Sequence, residues 1–261
     1  MTRITDTFAA LDRPALITFM TAGYPDLETS THVLETLATS GSDIIEIGVP
    51  FTDPMADGEI IQQSSFDAVA NGTSVSDILD MVRTFRESHD TPIVLMGYAN
   101  PVFAYGMECF ARNAAAAGVD GVIMVDLPPE ESGEFLPYAQ AANLDFIRLV
   151  TPTTDSDRLK IITEGASGFL YYVSITGVTG TAKPDPAVIK SRLDEIRKQT
   201  DIPLAVGFGI KTPEDAAAMG AIADGVVVGS SLVQTITDHA GSAGLLDKVA
   251  TQVRELADAL K

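Results

Sequence analysis

Eight short apolar runs, rich in β-branched residues, recur along the chain. Each run is continuous rather than alternating, which is typical of strands covered on both faces, as in a parallel sheet. Segments with helical spacing separate the runs, as at Leu34, Leu37 and Ala38. Start signals such as Thr212 followed by Pro213 favour helices in these segments. The pattern predicts strands at residues 15–20, 43–49, 92–98, 121–126, 145–150, 168–174, 202–208 and 224–229.

The spacing of these runs predicts the fold. Successive strands begin about 30 residues apart, the size of a βα repeat. The longer interval between the second and third strands holds two helical patterns, 59–70 and 75–88, and further helices are predicted at both ends of the chain. No linker or change in composition interrupts the series, so we expect one domain over residues 1–261. It should be an α/β (β/α)8 TIM barrel with extra N-terminal and inter-strand helices. An open doubly wound sheet is the alternative, which the lack of a GxGxxG motif disfavours.

Composition and charge narrow the class of protein. The chain is 46% hydrophobic and 20% charged, as expected for a globular protein. No apolar run reaches the roughly 18 residues that span a bilayer, and the first residues do not resemble a signal peptide. Cys109 is the only cysteine, which excludes an internal disulfide, so we expect a cytoplasmic protein. The net charge of -19 would repel nucleic acid and anionic membranes, and we expect neither as a partner.

One charged residue interrupts the second apolar run. In IIEIGVP, a period of two places Glu46 on the same face as Ile44 and Gly48. Ile45 and Ile47 share the other face, which should meet the helices. Glu46 should therefore point into the barrel near its mouth, where burial would raise its pKa and suit it to proton transfer. A structural ion pair with an arginine is the alternative.

The segment after this strand, PFTDPMADGEII, contains further carboxylates. Asp57 should lie at the same end of the barrel as Glu46, so the two could form one catalytic site. A cap or turn role is the ordinary alternative for a lone aspartate in such a loop.

Glycines follow the last three strands. GVTG occupies residues 177–180, Gly209 follows the seventh strand, and Gly229 and Ser230 follow the eighth. These loops usually form the phosphate site of barrel enzymes, because glycine allows an oxygen to approach the backbone and a helix N-terminus attracts anions. Simple chain turns are the alternative. The pattern favours a phosphorylated substrate.

Other chemistries lack the residues that they need. The three histidines lie in or beside helical segments, so we expect no metal site. No lysine interrupts a strand, which disfavours a Schiff-base aldolase, and Lys183 and Lys211 should be solvated in loops. Neither GxSxG nor a P-loop occurs. Acid–base catalysis without a cofactor remains.

Long motifs resemble the tryptophan synthase alpha chain family. They begin with LITFMTAGYPD (16–26) and EIGVPFTDPMADGEIIQQSS (46–65). They continue in order through MGYANPVFAYG, DGVIMVDLPPEE, GFLYYVSITGVTG, AVGFGIKTPEDA and DGVVVGSSLV, and so cover nearly the whole chain. The chain departs from the common pattern at Ile175-Thr176 and at Glu59. The resemblance implies a lyase of tryptophan biosynthesis that cleaves indole-3-glycerol phosphate to indole and glyceraldehyde 3-phosphate.

The same motifs imply the site residues. Glu46 matches the general acid/base of the family and Asp57 its second catalytic carboxylate. Thr179 matches a threonine that positions Asp57. The substrate-binding residues implied by the resemblance are Phe19, Tyr98, Leu127 and Tyr171 around the indole, Thr179, and Gly180, Gly209, Gly229 and Ser230 at the phosphate.

The resemblance also implies a partner. It predicts an α2β2 assembly in which a PLP-bearing beta chain receives the indole, with the loop of Asp53 and Pro54 against that chain. Two other functions stay open: another phosphate-binding barrel enzyme such as an isomerase, and a non-catalytic subunit that only activates a partner. The presence of both Glu46 and Asp57 disfavours the second.

Overall fold

The apolar runs form the strands of a closed parallel sheet. The computed structural model describes residues 2–174, 185–207 and 209–261. Its strands are β1 Ala15–Thr21, β2 Ile44–Gly48, β3 Ile93–Gly97, β4 Gly121–Met124, β5 in two segments, Asp145–Phe146 and Arg148–Val150, β6 Leu170–Val173, β7 Leu204–Gly207 and β8 Gly225–Val228. Each neighbouring pair is parallel, and β1 pairs with both β2 and β8. The first segment of β5 pairs with β4 and the second with β6, so the ring of eight strands is continuous.

Helices connect the strands and cover the outside of the sheet. A 3₁₀ helix spans Pro129–Glu134. The α-helices are α1 Arg3–Ala10, α2 Leu27–Ser40, α3 Glu59–Ala70, α4 Val75–Phe85, α5 Ala99–Tyr105, α6 Met107–Ala117, α7 Leu136–Ala141, α8 Ser156–Thr163, α9 Pro186–Arg197, α10 Pro213–Gly220, α11 Ser230–His239 and α12 Leu245–Asp258.

Two apolar clusters stabilise the barrel. Ile45 and Ile47 belong to the larger cluster, between the sheet and the helices, whereas Ile44 belongs to the smaller cluster inside the barrel. Ile4 of α1 lies in the inner cluster, and Phe8 packs against it. Helix α1 therefore closes the N-terminal end of the barrel, which leaves the carboxyl ends of the strands as the open end.

The strand and helix predictions are confirmed for the described residues. Both helices predicted between β2 and β3 are present as α3 and α4, and the terminal helices are α1 and α12. Thr212 caps α10 through a reciprocal pair of hydrogen bonds with Asp215. The open doubly wound sheet is wrong, because β8 returns to pair with β1. Among the described residues, no helix is long and apolar enough to cross a membrane.

Candidate active site

A pocket lies at the open end of the barrel, with about 700 Å³ of empty space when the part open to solvent is included. Residues of β1, β2, β3, β6 and β8 contribute to its wall, together with the segments that follow β2, β7 and β8. Its lining residues are Phe19, Glu46, Asp57, Gly58, Ile61, Met96, Tyr171, Gly209, Ile210, Lys211, Val227, Gly229 and Ser230. Most of the residues that the sequence singles out for chemistry are therefore brought together in one pocket.

Glu46 is the most deeply buried ionisable group of this pocket. It lies in the middle of β2, beside Phe19 of β1 and Val94 of β3, and its exposed fraction is 0%. Neither carboxyl oxygen has a hydrogen-bond partner among the described residues. Burial without compensation raises the pKa of Glu46 to about 8. The inward direction is confirmed, and the alternative of an ion pair with an arginine is wrong for the described residues.

Asp57 lies in the segment between β2 and α3 and is half-buried. The hydroxyl of Tyr98 donates a 2.9 Å hydrogen bond to Asp57 Oδ2, and the backbone N–H of Ala56 donates to the same hydroxyl at 2.9 Å. Gln62 Nε2 donates to the carbonyl oxygens of Asp57 and Pro54, which fixes the turn. Burial raises the pKa of Asp57, and the Tyr98 hydrogen bond partly opposes this rise.

Aromatic side chains form part of the wall. Phe19 lies against Gly48, where a Cβ atom would be only 2.5 Å from the ring, so the glycine leaves the space that the ring fills. Tyr171 is buried in the same pocket. Burial, followed by the charges of Glu46 and Asp57, raises the pKa of Tyr171 well above its ordinary value. The phenol therefore keeps its proton beside the two carboxyl groups.

Gly209, Gly229 and Ser230 form another part of the wall. Ser230 is the first residue of α11, which begins directly after β8. The first N–H groups of a helix lack partners within the helix, and its dipole attracts negative charge. Gly209 has a φ of 85°, a conformation that favours glycine. This region has the donors that a phosphate group requires.

Two implied residues, Tyr98 and Leu127, do not line this pocket, and two others are not described. Tyr98 lines a small adjoining pocket that shares Phe19 and Asp57 with it. Leu127 lines a different pocket, beside Arg148. Thr179 and Gly180, together with the rest of GVTG, lie outside the described residues. Glu59, one of the departures from the family pattern, is the first residue of α3, where a negative charge is favourable.

The structure adds residues that the sequence analysis did not assign to a site. Ile61 of α3 and Met96 of β3 line both the main pocket and the adjoining one. Met96 shares a strand face with inward-facing Val94, so a period of two could have found it. Lys211 was expected to be solvated; it is exposed but lines the pocket, two residues after Gly209.

Metal ligands are not clustered in the described part of the chain. There, no group of three or more His, Cys, Asp or Glu side chains could hold a metal ion. The chemistry available in the pocket is a proton on Glu46, a carboxylate on Asp57 and hydrogen-bond donors for an anion.

Comparisons with known proteins agree with one another. A family model described as tryptophan synthase alpha chain matches residues 6–261. A tryptophan synthase alpha chain from Geobacter sulfurreducens is 51% identical and covers 100% of this chain and 99% of its own. The fold is similar to tryptophan synthase subunit alpha from Legionella pneumophila strain Paris, with a TM-score of 0.92, 38% identity and coverage of 100% and 98%.

A further structure, tryptophan synthase from M. tuberculosis in its aminoacrylate-bound form, has a TM-score of 0.90 and 34% identity, with 100% of each chain covered. Sequence, fold and pocket thus point the same way: this chain belongs to the tryptophan synthase alpha chain family.

Proposed function

We propose that this chain is a lyase that cleaves indole-3-glycerol phosphate to indole and D-glyceraldehyde 3-phosphate in tryptophan biosynthesis. One observation carries the proposal: a fully buried carboxyl, Glu46, has no hydrogen-bond partner among the described residues and lies in the same pocket as Asp57 and Ser230. Membership of the family supports the same reaction.

Glu46 moves the protons of the reaction. Because burial raises its pKa to about 8, the group is mostly protonated at neutral pH and can protonate C3 of the indole ring. The resulting Glu46 carboxylate accepts the proton of the side-chain hydroxyl. The carbon–carbon bond then breaks, its electron pair returns to the ring to give indole, and the aldehyde leaves. The proton gained at C3 balances the proton lost from the hydroxyl.

Asp57 stabilises the charge that this protonation creates. When C3 is protonated, the ring nitrogen becomes positive, and a carboxylate near it lowers the energy of that state. Tyr98 holds Asp57 by the 2.9 Å hydrogen bond to Oδ2. In this proposal Thr179, outside the described residues, also orients Asp57.

The rest of the pocket binds and orients the substrate. Phe19 and Tyr171 contact the indole, with Tyr98 and Leu127 at its edge. The phosphate binds to N–H groups and the hydroxyl of the glycine-rich loops, and the residues proposed for it are Gly180, Gly209, Gly229 and Ser230. This arrangement needs no cofactor in this chain.

A tryptophan synthase beta chain is the proposed partner, in an α2β2 assembly whose PLP lies in the beta chain. Membership of the family supports this partner, and the loop of Asp53 and Pro54 would lie against the beta chain. Residues 1–261 would act as a single domain in the cytoplasm.

Indole release tests the proposal directly. Purified chain should release indole from indole-3-glycerol phosphate slowly when alone, and faster by an order of magnitude or more with a beta chain, because docking would hold the Asp57 loop in place. If the chain releases no indole, alone or with a beta chain, but speeds the beta chain's own reaction with added indole, the non-catalytic subunit is favoured. No indole under any of these conditions would exclude the proposed reaction.

A further inference from the structure

A second pocket, with about 900 Å³ of empty space when the part open to solvent is included, lies beside the ends of β4 and β5. One wall is the segment from Met124 to Pro129, and the other carries Arg148, Thr151, Thr154 and Arg158. This pocket and the active-site pocket have no lining residue in common, and of the described residues proposed for the reaction only Leu127 lines this one.

Arg148 is buried in this pocket with most of its donors unused. Its exposed fraction is 4%, and its guanidinium carbon lies 4.3 Å from the centre of the Phe146 ring. Nη1 makes one long hydrogen bond, 3.4 Å, to the carbonyl oxygen of Leu127. Nε and Nη2 have no acceptor among the described residues.

Arg86 shows how this chain satisfies another buried arginine. Its Nη2 forms a 2.6 Å ion pair with Asp120, and its Nε donates to the carbonyl oxygen of Gly118 at 2.8 Å. Nη1 donates to the carbonyl oxygens of Thr91 and His89. Every guanidinium nitrogen of Arg86 therefore has an acceptor, whereas two nitrogens of Arg148 have none in the part of the chain that the structure describes.

An unpaired buried guanidinium is unfavourable, and it cannot be relieved by deprotonation. Burial lowers the pKa of Arg148, but a guanidinium keeps its proton throughout the biological pH range. The charge therefore needs an anion or several polar acceptors. Removing the partner of a buried charge is strongly destabilising, so a partner for Arg148 would be bound favourably.

The carboxylates near Arg148 are already engaged. Asp126 lines the pocket and accepts a 2.8 Å hydrogen bond from the backbone N–H of Ala99. Glu130 forms an exposed ion pair with Arg158, and both charges act on the pKa of Arg148, Glu130 raising it and Arg158 lowering it. Neither Asp126 nor Glu130 forms an ion pair with Arg148 in this structure.

The two unused nitrogens define the shape of the missing anion. Nε and Nη2 lie on one edge of the guanidinium and donate in parallel directions, which matches the two oxygens of a carboxylate. We propose that this pocket binds a carboxylate, which pairs bidentately with the Nε–Nη2 edge of Arg148. Both nitrogens are closed to bulk solvent here, so binding requires a local opening of the pocket wall.

The carboxylate has two possible sources, a free small molecule or an acidic side chain of a partner protein. The proposed substrate carries a phosphate and no carboxylate, so this site is independent of the active site. If no carboxylate binds at Arg148, the proposed cleavage reaction is unaffected.

Thermal unfolding with acetate tests the site. At constant ionic strength, replacing chloride with acetate should raise the Tm of the wild-type chain with the logarithm of acetate concentration, because binding to the folded state stabilises it. Arg148→Met should fold, since an apolar residue replaces an unpaired charge, and its Tm should not respond to acetate. Arg83→Met, which removes an exposed arginine of α4, should respond like the wild type.

A parallel titration with inorganic phosphate tests the active site separately. Phosphate should raise the Tm of all three chains through the active site. Loss of the phosphate response alone would count against the proposed function and not against the Arg148 site.

Titration with a beta chain separates the two sources. If a partner supplies the carboxylate, Arg148→Met should weaken beta-chain binding by tenfold or more, and saturating beta chain should remove the acetate response. If the ligand is a free molecule, beta-chain affinity should not change. The proposal is overturned if the wild type ignores acetate and Arg148→Met binds the beta chain normally. It is also overturned if Glu130→Gln lowers the Tm when made in the wild-type chain but not when made in the Arg148→Met chain. Glu130 would then be the carboxylate that pairs with Arg148.

Discussion

Two neighbouring pockets at the open end of the barrel each contain a buried ionisable side chain without its expected partners in the described structure. In one pocket the group is the acid Glu46, and in the other it is the base Arg148. Glu46 can become neutral by keeping a proton, since its pKa is raised to about 8. Arg148 cannot lose its proton, so its charge persists. The same local feature therefore yields a proton carrier in one pocket and a receptor for an anion in the other.

The largest expected effect is on catalysis by the acid pocket. Glu46→Gln should lower the rate of indole release by at least about 10³, because an amide cannot exchange the protons of the reaction. Steady-state assays would measure this change. Glu108→Gln, an exposed change on α6, is the matched control and should keep full activity. Near-normal cleavage by Glu46→Gln would show that the buried carboxyl of Glu46 has a structural role and no role in proton transfer.

Asp57→Asn should cost less, about 10² or more in rate, because Asp57 stabilises charge without transferring the proton. The variant should still bind a phosphate-bearing substrate analogue, which calorimetry would measure beside the exposed control Asp80→Asn. Equal losses in binding and turnover would mean that the substitution disorders the loop, and they would contradict a specific charge effect of Asp57 at the ring nitrogen.

The pH dependence of stability distinguishes the two buried groups. The carboxyl of Glu46 ionises near its ordinary value of 4.5 in the unfolded chain and near 8 in the folded one. Between these values the folded state holds the extra proton, so the free energy of unfolding falls as pH rises, by about 5 kcal/mol across the window. Glu46→Gln should remove this decrease, whereas Arg148→Met should retain it.

Urea denaturation of the wild type and both variants at pH 5, 7 and 9 would measure these slopes. Below pH 4.5 both states are protonated and the group contributes nothing to the slope. The same pH dependence in the wild type and Glu46→Gln would contradict the raised pKa.

Ser230→Glu tests whether the acid pocket has its own anion site. A carboxylate at the start of α11 would repel the phosphate, and binding of glycerol 3-phosphate should weaken by about 10- to 100-fold. Indole alone should bind as before. Ser156→Glu makes the same change at the first residue of α8 and should leave phosphate binding intact. If indole binding weakens equally, the pocket has been distorted and the phosphate assignment fails.

Lys211→Met should have the smallest effect. Lys211 is exposed at the pocket wall, so solvent and salt screen its attraction for phosphate, and we expect a few-fold loss of affinity at low salt. The loss should disappear near 1 M salt. Lys248→Met on α12 is the control, and a loss that does not depend on salt would point to packing rather than charge.

Much of the barrel could be predicted because its signals are local. Continuous apolar runs specify strands covered on both faces, and a period of two directed Glu46 inward without knowledge of the fold. The helix beginning at Pro213 was readable for the same reason, since Thr212 and Asp215 satisfy each other within a single turn. The roles of Phe19 and Tyr171 came from the family resemblance, because nothing local distinguishes a pocket aromatic from a core one.

The order of strands and helices, the family and the pair of carboxylates in one pocket can be predicted from the amino-acid sequence. Three features depend on the folded structure: Lys211 lines that pocket, Leu127 lines a second one, and Arg148 is buried with two nitrogens unpaired among the described residues. Leu127 and Arg148 come from successive βα units that meet only when β4 and β5 enter the same sheet. Whether a buried charge finds a partner depends on side chains from several such units, and no local pattern records their distances.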